Sequence, residues 1–278
     1  MPPVMTYCLG IVTKHGLVMA SDSRTNAGFD QVNTVRKMHT FVHPGERVFV
    51  TLASGSLSMT QSIMTLIRRE WESGKGLAIA PSLYDAARIV GQHVRKVSEI
   101  DRASLERDGF SFNPHFLLGG QVKGDPPGLF LVYPQGNPLQ VTEDSPYLQI
   151  GECKYGRPIL DRGIQFERTS LEEAAKYALL SMDSTMKSNV TVGPPVDLLV
   201  YSTDELDVTR HRRFTSDDAD LTKIRVRWEQ ALRGAVQRLP NLRFRSKAGA
   251  GPQPARETIE LVEQSADAEA QANAPMAK

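Results

Sequence analysis

The chain has 278 residues, 40% hydrophobic and 23% charged, and its 33 lysines and arginines against 32 aspartates and glutamates leave a formal net charge of +1. Such a chain can bury a sizeable core as one large domain or two small ones, and its charge balance excludes the electrostatic footprint of a dedicated nucleic-acid or membrane-surface binder. No run approaches the roughly 18 apolar residues of a membrane span, and Met1-Pro2-Pro3-Val4-Met5 has neither the basic nor the apolar segment of an export signal.

From Thr6 to Ser21 two strand-length apolar runs flank Lys14-His15-Gly16, which predicts a β-hairpin. The runs are continuous rather than alternating, so both faces of that sheet are expected to be covered. A second hairpin follows, with a strand over Val35 to Val42, a turn at His43-Pro44-Gly45-Glu46 and a return over Arg47 to Ala53. The period then changes to helical. Met59, Ile63, Leu66, Ile67 and Trp71 share one helix face, and a second helix is opened by Ser82 with Asp85 three residues on.

Strands return over Phe116 to Val122 and Leu129 to Tyr133, and a further short one ends near Gly151. A short helix is expected around Gly156 to Gly163, and a longer one is opened by the capping box Ser170-Leu171-Glu172-Glu173. Val196 to Tyr201 reads as a closing strand. Hairpins segregated from helix pairs point to an α+β layered fold. A last helix is predicted over about 216–239, with Leu221, Ile224, Trp228, Leu232 and Ala235 on one face, and the alanine-, glycine- and proline-rich stretch 241–278 reads as a flexible tail.

The common catalytic signatures are absent: no phosphate-binding Gly-x-x-x-x-Gly-Lys-Ser/Thr loop, no Gly-x-Ser-x-Gly, no His-Glu-x-x-His and no Cys-x-x-Cys. Ser184-Thr185-Met186-Lys187 matches Ser-x-x-Lys without the companion elements that motif requires. The six histidines show no metal-ligand spacing and read as turn or surface residues. Cys8 and Cys153 read as buried thiols of a reducing compartment, so a cytoplasmic protein without metal or cofactor is expected.

Thr6, preceded by Met5, supplies another chemistry. Removal of residues 1–5, as a propeptide or because translation starts at Met5, would leave threonine first, with a hydroxyl nucleophile and a free α-amine on one residue. The amine titrates near about 8 and can take the hydroxyl proton without a histidine. The alternative is that Thr6 merely begins a strand. Three features favour the first reading. The hairpin brings Asp22, Ser23, Arg24 and Thr25 opposite Thr6. Arg36-Lys37 places a lysine that, paired with Asp22, lowers the hydroxyl pKa. Ser54-Gly55, where a strand passes into a helix, offers amides for an oxyanion. The opposing readings make Asp22 a solvated turn carboxylate and Lys37 a surface lysine.

Thr6, Asp22-Ser23-Arg24, Gly28, Thr34-Val35-Arg36-Lys37 and Leu52-Ala53-Ser54-Gly55 resemble the proteasome β-subunit family. Ser21-Asp22-Ser23-Arg24-Thr25-Asn26-Ala27-Gly28, Arg36-Lys37-Met38-His39, Ile150-Gly151-Glu152, Tyr155 to Asp161 and Ser181 to Met186 extend the likeness to its bacterial Anbu group, from Thr6 to about Leu239. The resemblance implies a four-layer αββα sandwich of the N-terminal-nucleophile hydrolases, over residues 6–240 with 216–239 as an additional C-terminal helix. It implies hydrolysis of peptide amide bonds, with an idle scaffold or an amidase for a small substrate as the alternatives. It also implies self-assembly of many subunits in a ring or spiral, and leaves open an unfoldase or operon-encoded partner. Carried over, Thr6, Asp22 and Lys37 are catalytic, Ser54 and Gly55 form the oxyanion hole, and Thr25, Val35 and Leu52 line the substrate pocket. Arg24, Glu152 and Asn189 are supporting residues. Glu152 stands where the family has a serine beside the α-amine, and Asn189 and Val192 replace the later aspartate and serine. A carboxylate there would raise the amine's pKa.

Overall fold

The two apolar runs at the start of the chain form a hairpin whose strand residues are all buried. In the computed structural model, which describes residues 6–26 and 32–243, β1 (Tyr7–Thr13) pairs antiparallel with β2 (Gly16–Ser21). Side-chain alternation divides β1 between two cores: Tyr7, Leu9 and Ile11 enter one, Cys8 and Val12 the other.

The sequence predicts one strand over 35–42; the structure divides this stretch. A small ribbon of β3 (Arg24–Asn26) and β4 (Val32–Thr34) comes first. Val35, Arg36 and Lys37 are outside any strand, and the hairpin proper is β5 (Met38–His43) with β6 (Arg47–Ser54). Helices α1 (Leu57–Glu72) and α2 (Leu83–Arg107) follow, and the Ser82 hydroxyl accepts the Asp85 N–H at 3.1 Å, capping α2 as expected.

Next come β7 (His115–Val122), β8 (Gly128–Val132), β9 (Pro138–Gln140) and β10 (Tyr147–Gly151). After α3 (Arg157–Gly163), α4 (Leu171–Ser188) begins with the Ser170/Glu173 capping box formed in both directions. The described chain ends with β11 (Val196–Ser202), β12 (Arg210–Phe214) and α5 (Ala219–Gln237). Neither β9 nor β12 is signalled by periodicity. β9 is three residues long and starts with proline, and β12 reads Arg-His-Arg-Arg-Phe, with no apolar alternation to detect. Both are edge strands, where proline and charge are tolerated.

One sheet has the order β10-β1-β2-β11-β12, the other β5-β6-β7-β8-β9. Met19, Leu52, Leu117, Leu129 and Leu199 meet between them. Leu160, Ala178 and Met182 cover the outer face of the first sheet from α3 and α4, and Ile63, Ala87 and Val90 cover the second from α1 and α2. The result is the four-layer αββα sandwich. Gly119 permits the close approach of the sheets, since a Cβ there would lie 2.6 Å from the Met19 sulfur.

The chain divides into two compact units, Met1–Ala235 and Val236–Lys278, and the four layers belong to the first. In that unit α5 is held through buried Leu221, through Ile224, and through the Arg225 Nε donation to Asp183 at 2.5 Å. Leu232, expected on the same inner face, is 50% exposed. In the second unit the described residues finish α5 and reach Arg243, with the Leu239 N–H donating to the Val236 carbonyl at 3.2 Å. The expected propeptide at 1–5, Gly28, and all of the expected tail beyond Arg243 lie outside the described residues.

The parity of β6 corrects one expectation. Val48, Val50 and Leu52 face the inter-sheet core while Phe49 and Ala53 face α1 and α2, so Leu52 is a core residue with no exposed surface rather than a wall of the pocket. A one-residue change of register exchanges the two faces, and with both faces apolar the sequence did not resolve it. Leu52→Ala is therefore expected to destabilise the fold by about 2–5 kcal/mol in chemical denaturation.

Candidate active site

Thr6 immediately precedes β1 and is buried, with a side borne on an open cleft. Its carbonyl accepts the Glu152 N–H at 2.7 Å. That contact depends on glycine at the preceding position: Gly151 has φ +85°, and a Cβ there would lie 1.8 Å from the Thr6 carbonyl oxygen. The end of β10 thus holds Thr6 from behind.

Asp22, at the end of β2, has no exposed surface and gathers four donors. Its Oδ1 accepts the Tyr7 N–H at 3.1 Å and the Lys37 ammonium at 2.5 Å; its Oδ2 accepts the Arg24 N–H at 3.2 Å and the Gly193 N–H at 3.3 Å. Lys37 is itself buried and donates also to the Arg24 carbonyl at 2.6 Å. Neither opposing reading survives: Asp22 is not solvated and Lys37 is not on the surface. Burial pushes the Asp22 carboxyl up from the usual carboxylate range, and the Lys37 charge, then the hydrogen bonds from Lys37, Tyr7 and Gly193, oppose that shift.

Thr6, Thr25, Val35, Lys37 and Gly55 line the same cleft, of about 450 Å³, at the amino-terminal end of α1. The Val35 N–H donates to the Ser23 carbonyl at 2.8 Å, which brings the segment before β5 against the end of β2. Ser54, the last residue of β6, is buried beside the cleft without lining it. Where Leu52 was expected the wall is Ala53, its neighbour of opposite parity.

Arg24 lays its guanidinium against Gly193 and donates to the Val190 carbonyl at 2.5 Å. Its contribution to the site is its backbone, the N–H on Asp22 and the carbonyl on Lys37. Glu152 is buried, its Oε2 accepting from Asn189 Nδ2 at 3.0 Å and its Oε1 lying 3.6 Å from the Lys154 ammonium. Asn189 Oδ1 in turn accepts the Thr191 N–H at 2.9 Å, and Val192 is part of the core against α4.

The cleft residues that the sequence reading did not assign to the site include His39 and Arg68. His39 is the second residue of β5, next to the segment that carries Arg36 and Lys37; Arg68 lies on the face of α1 that carries Thr60 and Met64 at helical spacing. His93, expected at the surface, is buried. Cys8 is buried as expected, but Cys153 is half-buried, and burial pushes its thiol up to about 11. Among the described residues no group of three or more His, Cys, Asp or Glu is placed to hold a metal ion, and no helix is long and apolar enough to cross a membrane.

Residues 6–201 match the family model described as proteasome subunit. The chain belongs to the proteasome subunit family. Solved structures place it in the Anbu group within that family. Anbu from Yersinia bercovieri, described as an ancestral β-subunit, is 42% identical, with a TM-score of 0.81 over 86% of this chain and 100% of the other. The helical assembly of the Anbu complex from Pseudomonas aeruginosa gives 44% identity and a TM-score of 0.81 over 85% of this chain and 98% of the other. A proteasome subunit beta from Haloquadratum walsbyi is 26% identical over 210 residues, 75% of this chain and 78% of its own. The N-terminal-nucleophile sandwich expected from the resemblance is thereby shown.

The Asp22–Lys37 pair makes a stability prediction. Lys37→Met strands a buried carboxylate and is expected to cost about 3–5 kcal/mol at pH 7. Without the lysine the folded-state pKa of Asp22 rises further, so protonation favours the folded variant. That gain is complete below the ordinary carboxylate pKa of about 4 and is lost as pH rises through the raised value. Denaturant midpoints should show the deficit relative to wild type shrinking as pH falls from 7 to about 5.

Proposed function

We propose that this chain is an N-terminal threonine peptidase, hydrolysing peptide amide bonds through an ester on Thr6. The observation that carries the reading is the convergence of Thr6, the buried Asp22–Lys37 pair and Gly55 on one cleft. In this reading residues 1–5 are removed and the Thr6 α-amine accepts the proton of its own hydroxyl as the oxygen attacks the substrate carbonyl. Lys37, held by Asp22 and the Arg24 carbonyl, favours the developing alkoxide by its charge. The Gly55 amide, with Ser54 behind it, stabilises the tetrahedral oxyanion. The protonated amine returns its proton to the leaving nitrogen as the amide bond breaks. Water then attacks the ester, the amine takes its proton and passes it to the threonine oxygen, and the carboxylic acid departs.

The Pseudomonas aeruginosa relative is described as a helical assembly, which supports self-association of this chain as well; Val226 and Leu232, exposed on α5, are apolar surface available for it. Within this reading the protein acts in the cytoplasm. A scaffold with an idle site is the second reading, and the particular observation behind it is the Glu152–Asn189 pair with apolar Val192 nearby in sequence.

Two measurements separate these readings. The purified chain, incubated with a peptide epoxyketone, should carry one adduct on Thr6 at a new amino terminus by mass spectrometry, and Thr6→Ala should carry none; a chain still beginning at Met1, or an unlabelled Thr6, defeats the peptidase reading. The carboxylate of Glu152 is expected to hold a proton on the amine to higher pH, so activity rises with pH as the amine becomes neutral. Glu152→Gln should move that rising limb to lower pH by about one unit in kcat/KM profiles.

A further inference from the structure

The cleft beside Thr6 carries charge of one sign. Arg36, Lys37 and Arg68 line it, and among the described residues no aspartate or glutamate does. The Lys37 ammonium is committed to Asp22, but among the described residues neither Arg36 nor Arg68 is paired with a carboxylate. Leu57, the first residue of α1, lines the same cleft, and the first turn of that helix contains no acidic side chain. The positive end of the helix dipole therefore adds to the positive charge at the Leu57 end of the cleft.

His39 sets the direction of Arg68. The two are 3.3 Å apart through Arg68 Nη2 and His39 Nδ1. A guanidinium only donates, so the imidazole nitrogen accepts and its proton resides on Nε2. Burial, then the charges of Arg68 and Arg36, push His39 down to about 4, so near neutrality it orients Arg68 without adding or cancelling charge. The remaining guanidinium N–H groups of Arg68 are left for another acceptor, beside the polar side chains of Gln61 and Thr65 on the same wall.

We infer that Arg68 and Arg36 select substrates with a carboxylate side chain on the residue preceding the scissile bond. This rests on the Thr6 reading above, because a residue whose carbonyl meets Thr6 projects its side chain into the cleft that Thr6 shares with both arginines. Two planar guanidinium groups bind a carboxylate through charge-assisted, geometrically matched hydrogen bonds and repel a lysine. A large apolar side chain would displace water from both cations and offer them nothing in return.

The test uses the mature full chain and peptides that differ only before the cleaved bond, with Glu, Gln, Leu or Lys. The Glu peptide is expected to exceed Gln by about tenfold in kcat/KM and Lys by more. Arg68→Glu should reverse the Glu-to-Lys order, whereas a wild-type preference for Leu or Lys, or an order unchanged in Arg68→Glu, overturns the inference. A second measurement needs no turnover. Anisotropy of the labelled Glu and Gln peptides on the Thr6→Ala chain should show about the same tenfold difference in Kd, shrinking as salt is raised. Equal affinities overturn acidic selection even if Thr6 cleaves peptides. A retained preference in a chain that neither cleaves nor labels upholds acidic recognition while removing the peptidase reading.

Discussion

Four parts of the chain are tied together by one carboxylate. Asp22 receives the Tyr7 N–H at the start of β1, the Arg24 N–H just beyond β2, the Gly193 N–H before β11 and the Lys37 ammonium before β5. A buried anion is costly unless every such donor is in place, so the carboxylate is tolerated only when these segments have met. The same arrangement puts a cation beside Thr6. The contacts that hold this end of the sandwich are therefore also the contacts that place Lys37 at the cleft.

The other side of Thr6 is built differently. Gly151 and Glu152 hold its carbonyl through the backbone, and the Glu152 side chain is occupied by Asn189 and Lys154. The hydroxyl side of Thr6 thus keeps the residues that the family resemblance implies, while the amine side carries substitutions of different charge. In the proposed peptidase reading Lys37 serves the hydroxyl, and the Glu152 carboxylate acts on the amine. The two halves meet again at residues 189–193, where Asn189 donates to Glu152 and the Gly193 N–H donates to Asp22.

The cleft shows how a nearly neutral chain can hold a local field. A net charge of +1 says nothing about distribution. Arg36 and Arg68, 32 positions apart in sequence, line one cavity because the segment before β5 and the face of α1 from Leu57 to Arg68 converge on it. A small acidic group is compatible with such a local field whatever the net charge.

Much of this was legible in sequence where local signals are strong. The first hairpin, the capped starts of α2 and α4, and the order of strands and helix pairs follow from apolar period and capping chemistry, which act over a few residues. Thr6, Asp22 and Lys37 could be named because their residue types in that order have few other uses together. Tertiary structure decided the rest. Only the packing of two sheets set the parity of β6, sending Leu52 inward and Ala53 to the cleft. Only the sheet edge explains β12, whose charged residues carry no strand signal and pair because β11 offers free backbone groups. The placement of the Arg24 guanidinium on the Val190 carbonyl, and of Arg68 onto His39, likewise depends on neighbours distant in sequence. Periodicity determines which residues can share a face, but which face meets a core, a cleft or water is settled when the layers come together.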